Sequence, residues 1–126
     1  MVQQTGALTV RLMVYSGRPN PAWELSESES KSVIEAMSRG VQEGTHVAQP
    51  ADPGLGYRGF LVTSAAGIND LGEQVVVNRR VLTTTRRKTS EFFIDSGGAE
   101  AVLLRQAREH GHGGLLAALG IAIEEE

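Results

Sequence analysis

Gln74-Val75-Val76-Val77-Asn78-Arg79-Arg80-Val81-Leu82-Thr83-Thr84, followed by Arg86-Arg87-Lys88 and then Glu91-Phe92-Phe93-Ile94, is the stretch that decides the fold. Its first eleven residues are rich in β-branched side chains. They read as one long strand with Val75, Val77, Arg79 and Val81 on one side. The basic triplet is a turn, and the aromatic run after it is a further strand. Strands joined by so short a link pair antiparallel.

Working outward, Tyr57 to Ser64 predicts another strand, with Ala65 to Gly72 as the turn that joins it to Gln74. Further upstream, Leu8 to Tyr15 alternates: Leu8, Val10, Leu12 and Val14 form an apolar side, while Thr9, Arg11, Met13 and Tyr15 form a mixed one. Ser16-Gly17-Arg18-Pro19-Asn20-Pro21 stops this strand, because each proline removes a donor and holds its predecessor extended. A helix follows, with Ser26 and Glu29 spaced as a capping box and acidic residues at the positive end of the helix dipole. Val33, Ile34, Met37 and Val41 recur at helical spacing as its apolar stripe, and Gly40 or Gly44 ends it. Residues 45–56 are rich in proline and glycine without periodicity, which fits a surface loop or a lid.

Downstream, Ser96 is placed to cap a second helix over residues 98–110, with Ala99, Val102, Leu103, Gln106 and Ala107 along one face. Gly111, Gly113 and Gly114 break it, and a short third helix covers Leu115 to Leu119. The order β-α-β-β-β-α-α predicts one α+β domain over residues 1–126. It is a two-layer structure with a roughly four-stranded, mainly antiparallel sheet, two main helices and a short C-terminal helix. Residues 1–6 are expected to be flexible, and 120–126 to form an acidic tail.

Composition narrows the function classes. Aromatics make up only 5% of the 126 residues, so the core is aliphatic. The net charge of -3 provides no field for a polyanion, and nucleic acid is not an expected partner. Two lysines, Lys31 and Lys88, stand against ten arginines, which together with abundant Ala, Gly and Val suggests a high-GC bacterial genome. The absence of cysteine excludes disulfides, iron–sulfur clusters, thiolate zinc and a cysteine nucleophile. Met1 to Gly6 carries neither a basic nor an apolar targeting segment, and no run is long enough to cross a membrane, so a cytoplasmic protein is expected.

Tyr15 to Trp23 is the segment richest in recognition chemistry. Its prolines stiffen it, Arg18 could grip a carboxylate or phosphate, Asn20 could pair an amide, and Trp23 could supply a flat wall. The alternative is that Trp23 plugs the space between strand and helix. Tyr57 and Arg58, held between glycines, would face the same cleft if their strand lies beside the first. Asp95-Ser96-Gly97-Gly98 offers a helix N-terminus to an anion but has no nucleotide-loop spacing, so capping is its simpler role. His110-Gly111-His112 lacks a third ligand nearby in sequence and reads as a helix end. Arg79-Arg80 and Arg86-Arg87-Lys88 read as solvated charges that guard an edge.

The expected function is therefore a binding module. It would recognise a small anionic or peptide-like ligand, or a protein partner, through Tyr15, Arg18, Asn20, Trp23, Tyr57 and Arg58. A small enzyme is the alternative, with no cofactor or metal and with Asp95 or His46 as base; Tyr15, Tyr57 and Glu24 are further acid/base candidates. A third reading is a structural or regulatory protein that forms a homodimer through its open sheet face.

Overall fold

A computed structural model of the chain describes residues 8–14, 21–48, 58–64, 67–68, 71–78 and 80–118. Six strands build one antiparallel sheet: β1 (Thr9–Leu12), β2 (Ala22–Glu24), β3 (Phe60–Thr63), β4 (Gln74–Asn78), β5 (Val81–Arg86) and β6 (Thr89–Ile94). Their spatial order is β2-β1-β3-β4-β5-β6. The α+β class and the antiparallel pairing are as expected from the sequence; the strand number is six instead of four.

Local geometry explains the difference. Asn78 pairs with Val81 across Arg79 and Arg80, so the long alternating run is a hairpin and not one strand. Arg80 has a φ of 71°, in the left-handed region that glycine or asparagine normally takes in such a turn, and arginine gives no signal for it. The hairpin resets the alternation. Val75 and Val77 are buried together with Leu82 and Thr84, while Val81 falls on the opposite face. The second added strand is β2, three residues that pair with Thr9 to Arg11 just after Pro21.

Helix α1 (Glu27–Glu43) begins at the predicted capping box: Ser26 Oγ accepts from the Glu29 N–H at 3.2 Å, and the Ser26 N–H donates to Glu29 Oε1 at 2.8 Å. It ends at Gly44, whose φ of 69° is the left-handed exit that glycine allows. Near that end α1 lies hard on the sheet. A Cβ on Gly40 would stand 2.7 Å from Leu82 Cδ1 and 2.9 Å from the Ile94 carbonyl oxygen.

Helix α2 covers Ala99–Ala107 and is shorter than expected. Asp95, and not Ser96, supplies its cap: the two carboxylate oxygens accept from the Ala99 and Glu100 N–H groups at 2.7 and 2.9 Å. Gly111 breaks the helical run that follows, as its sequence position predicts. Arg108–His112 forms a kinked turn in which Gly111 leaves helical geometry (φ 94°), and a separate short helix, α3, covers Gly113–Ala118.

All three helices contribute to one core. Val10, Leu12, Phe60, Val62, Val75, Val77 and Leu82 line the covered sheet face, and Val33, Met37, Leu103 and Leu116 reach it from the helices. Ile68 and Leu71 of the predicted turn are also buried. On the opposite sheet face Arg11 is exposed, and Met13, Leu61, Val76, Thr83 and Phe92 are half-buried. Part of the stretch read as an irregular loop pairs with β6: the Val47 N–H donates to Phe92 O and the Ile94 N–H to Thr45 O. Among the described residues no helix is long and apolar enough to cross a membrane.

Candidate functional site

The covered sheet face extends further than α1 does. Along β5 the inward positions are Leu82, Thr84 and Arg86, and across from them on β6 stand Phe93, Glu91 and Thr89. Leu82 lies under the helix at Gly40, and from there the face grades from apolar to hydroxyl to charged. Where α1 stops, this strip becomes the floor of a groove of about 400 Å³. Val41 forms one wall and Leu71 another, and Arg86 and Arg87 also line it. Leu71 is held by its N–H bond to Ile68 O, and the Ile68 N–H bonds in turn to Gly72 O. Gly72 (φ 112°) lies so close to β5 that a Cβ there would stand 2.6 Å from Thr85 O. The volume falls in the range of small-molecule sites, and the lining combines an apolar base with a few polar groups.

The groove ends at the β5–β6 turn, where Arg87 (φ 52°) and Lys88 (φ 68°) both occupy left-handed geometry between the paired residues Arg86 and Thr89. A two-residue turn of this kind favours Asn-Gly. Ordinary side chains in left-handed geometry cost about 1–2 kcal/mol each. Among the described residues neither Arg87 nor Lys88 has a side-chain hydrogen-bond or ion-pair partner that offsets that cost.

His46 borders this groove. Its ring packs on Phe93 with centroids 4.4 Å apart, and its Nε2 lies 3.9 Å from Glu91 Oε2. Both side chains are about 60% exposed, and such a pair adds little to stability. Asp95 is elsewhere, away from the groove lining, and each of its carboxylate oxygens accepts one hydrogen bond as the α2 cap. Arg58 sits at the entrance to β3, where its N–H donates to Met13 O, at the end of β1 that leads toward residue 15. Glu24 is exposed on β2. Tyr15, Arg18, Asn20 and Tyr57 lie outside the described residues, so their convergence with Trp23 and Arg58 is not addressed by this geometry.

Trp23 belongs to a second cluster. It faces the helices from β2 and stacks with His112 at 4.6 Å and with His110 at 5.7 Å, both on the turn between α2 and α3. His110 Nε2 lies 3.1 Å from Glu29 Oε2. The Ser26 backbone N–H holds the Glu29 carboxyl below its ordinary value; desolvation opposes this, and the contact with His110 adds to it. Sequence spacing hid this cluster, because Glu29 and His110 are 81 positions apart. The only local signal was the His-Gly-His triplet itself. Among the described residues no three metal-ligating side chains converge.

No known protein family, characterised protein or solved structure matches this chain.

Proposed function

We propose that the protein is a binding module for a small organic anion with an apolar body, held in the groove beyond the end of α1. Val41, Leu71 and Phe93 would take the apolar part. Thr84, Thr89 and the cations Arg86 and Arg87 would take a carboxylate or phosphate head. The observation that carries this reading is the groove mouth itself, where Arg86 and Arg87, the latter held in left-handed geometry, line the cavity beside Glu91 and the apolar base. Strain without a structural return is the mark of a position retained for binding. The ligand class is the one the composition of the Tyr15 to Trp23 segment suggests, but the groove lies at the β5–β6 end of the sheet.

Hexyl phosphate and hexanoate are suitable probes, with inorganic phosphate and hexylamine as controls. Two-dimensional NMR should show the backbone signals of Val41, Thr84 and Thr89 shifting with the two amphiphilic anions and not with the amine. Arg87→Ala should weaken binding roughly tenfold or more, the equivalent of one lost charge-assisted hydrogen bond of about 1.5–3 kcal/mol. Absence of shifts with both anions, or equal affinity in the variant, would falsify the assignment.

A further inference from the structure

The cluster of Trp23, Glu29, His110 and His112 lies apart from the groove and draws on three elements. β2 supplies the indole, the first turn of α1 supplies the carboxylate, and the kinked turn Arg108–His112 supplies both imidazoles. Two features mark the arrangement as closed at some cost. Trp23 Nε1 and Gln106 Oε1 are covered and have no partner among the described residues, although Gln106 is only 5% exposed. Buried polar atoms left unpaired would regain water if the turn moved away. The turn also contains its own joint. Gly111 has a φ of 94° that breaks helical geometry at this point, and nothing lies within 4 Å of where its side chain would be.

We propose that the turn Arg108–His112 is a protonation-dependent clamp on Trp23, closed when His110 and His112 carry charge and released when they lose it. Imidazole is the side chain that changes charge between pH 5 and 8. A charged His110 forms a charge-assisted bond to Glu29, and a charged His112 is attracted to the indole face it already stacks on. The surrounding charges set the balance. From α1 the group is Glu29. From β2 there is none, since Glu24 lies on the opposite sheet face by strand alternation. The turn itself supplies Arg108 and Glu109, α2 carries Glu100 and the exposed Arg105, and α3 carries no charge. Arg108 and Glu109 move with the turn, so the charge that favours closure from across the contact is Glu29. Leu116 remains fully buried and keeps α3 seated, so the motion is confined to the turn. Opening would bare the indole two residues after Pro21, beside the segment richest in recognition chemistry.

Trp23 is the chain's single tryptophan, so its emission reports the clamp directly. The experiment is acrylamide quenching and emission maximum of the whole chain across pH 5 to 8, with far-UV circular dichroism to confirm that the fold persists. The proposal expects acrylamide access to rise and emission to shift red with increasing pH. His110→Gln and His112→Gln should flatten both curves, and His46→Gln should leave them unchanged. Should a variant fail to fold, the indole N–H signal of the unmodified chain gives the same answer: its exchange with water should accelerate as pH rises, beyond the acceleration of exposed amides. Access that stays constant with pH overturns the proposal, even if intensity alone changes through quenching by a nearby imidazolium. So does a pH dependence that survives loss of both histidines.

Discussion

Replacing Arg87-Lys88 by Asn-Gly separates the cost of the β5–β6 turn from its use. The two residues sit at φ 52° and 68° between the paired Arg86 and Thr89, the geometry for which Asn-Gly is the preferred pair. Relief of left-handed strain is worth about 1–2 kcal/mol per residue. Glycine returns part of this through its greater entropy when unfolded, about 0.5–1 kcal/mol. The expected net gain is about 1–3.5 kcal/mol, read as a higher urea midpoint at constant slope. For a chain of this length each kcal/mol raises Tm by about 3–6 °C. The exchange also removes two cations from a chain of net charge -3, moving it further from neutrality, which favours solubility. Binding of hexyl phosphate should be lost at the same time. A variant no more stable than the parent would refute the strain argument. One that is more stable and still binds would refute the link between strain and binding. If the cations served only to guard the sheet edge, the variant would gain stability and aggregate, which light scattering detects.

Gly40→Ala tests the seating of α1: helix propensity alone predicts a gain of about 1 kcal/mol, but contact with Ile94 O, a backbone atom fixed in β6, should produce a net loss of about 1–3 kcal/mol. A more stable variant would show that the helix rides higher on the sheet. Asp95→Ala should cost about 0.5–2 kcal/mol by uncapping α2 while leaving anion binding in the groove intact; a selective loss of binding would return Asp95 to the site. Because the folded state holds the Glu29 carboxyl low, its ionised form stabilises the fold above the unfolded glutamate value of about 4.3, and this contribution is lost as pH falls through the lower folded value. The stability gap between the parent and Glu29→Gln should therefore narrow between neutral pH and about pH 3 in urea titrations, and a gap constant with pH would contradict the assigned direction.

The readable parts of the fold were those governed by neighbours in sequence. Ser26 and Glu29 form the capping box their spacing announces, and Val33 and Met37 are buried where the helical period puts them. The alternation of β1 also places Val10 and Leu12 inside. What was hidden depends on tertiary contact or on unusual turn chemistry. Arginine and lysine in left-handed turns carry no statistical signal, so the 79–80 hairpin read as continuous strand. Ser96 looked like the better cap for α2 because cap preferences count one position, whereas Asp95 reaches two N–H groups from further back. The partners of Trp23 could not be anticipated, since β2 and the kinked turn meet only through the packing of α2 against α1. Only the apolar-to-charged gradient Leu82, Thr84, Arg86 lay in plain sequence, and the misplaced hairpin hid which face it was on.

That gradient follows from where α1 is forced to stop. Seventeen residues give the helix about 25 Å, and Gly40 presses it onto β5 and β6 so closely that it cannot slide along them. Gly44 then turns the chain back, and Thr45 to Val47 pair with the outer edge of β6 instead of continuing over the sheet. The last turn of β5 and β6 is left without helical cover, with hydroxyl and charged side chains on the face that is apolar elsewhere. Had the uncovered strip carried valines, it would be an exposed apolar patch and an aggregation hazard. Had it carried only solvated charge, the walls Val41 and Leu71 would have no reason to flank it. The combination of an apolar base, two hydroxyls and a charged end where Arg86 and Arg87 stand beside Glu91 is what the proposal of a ligand groove rests on. The same short reversal at Gly44 that ends α1 is therefore the feature that creates the groove.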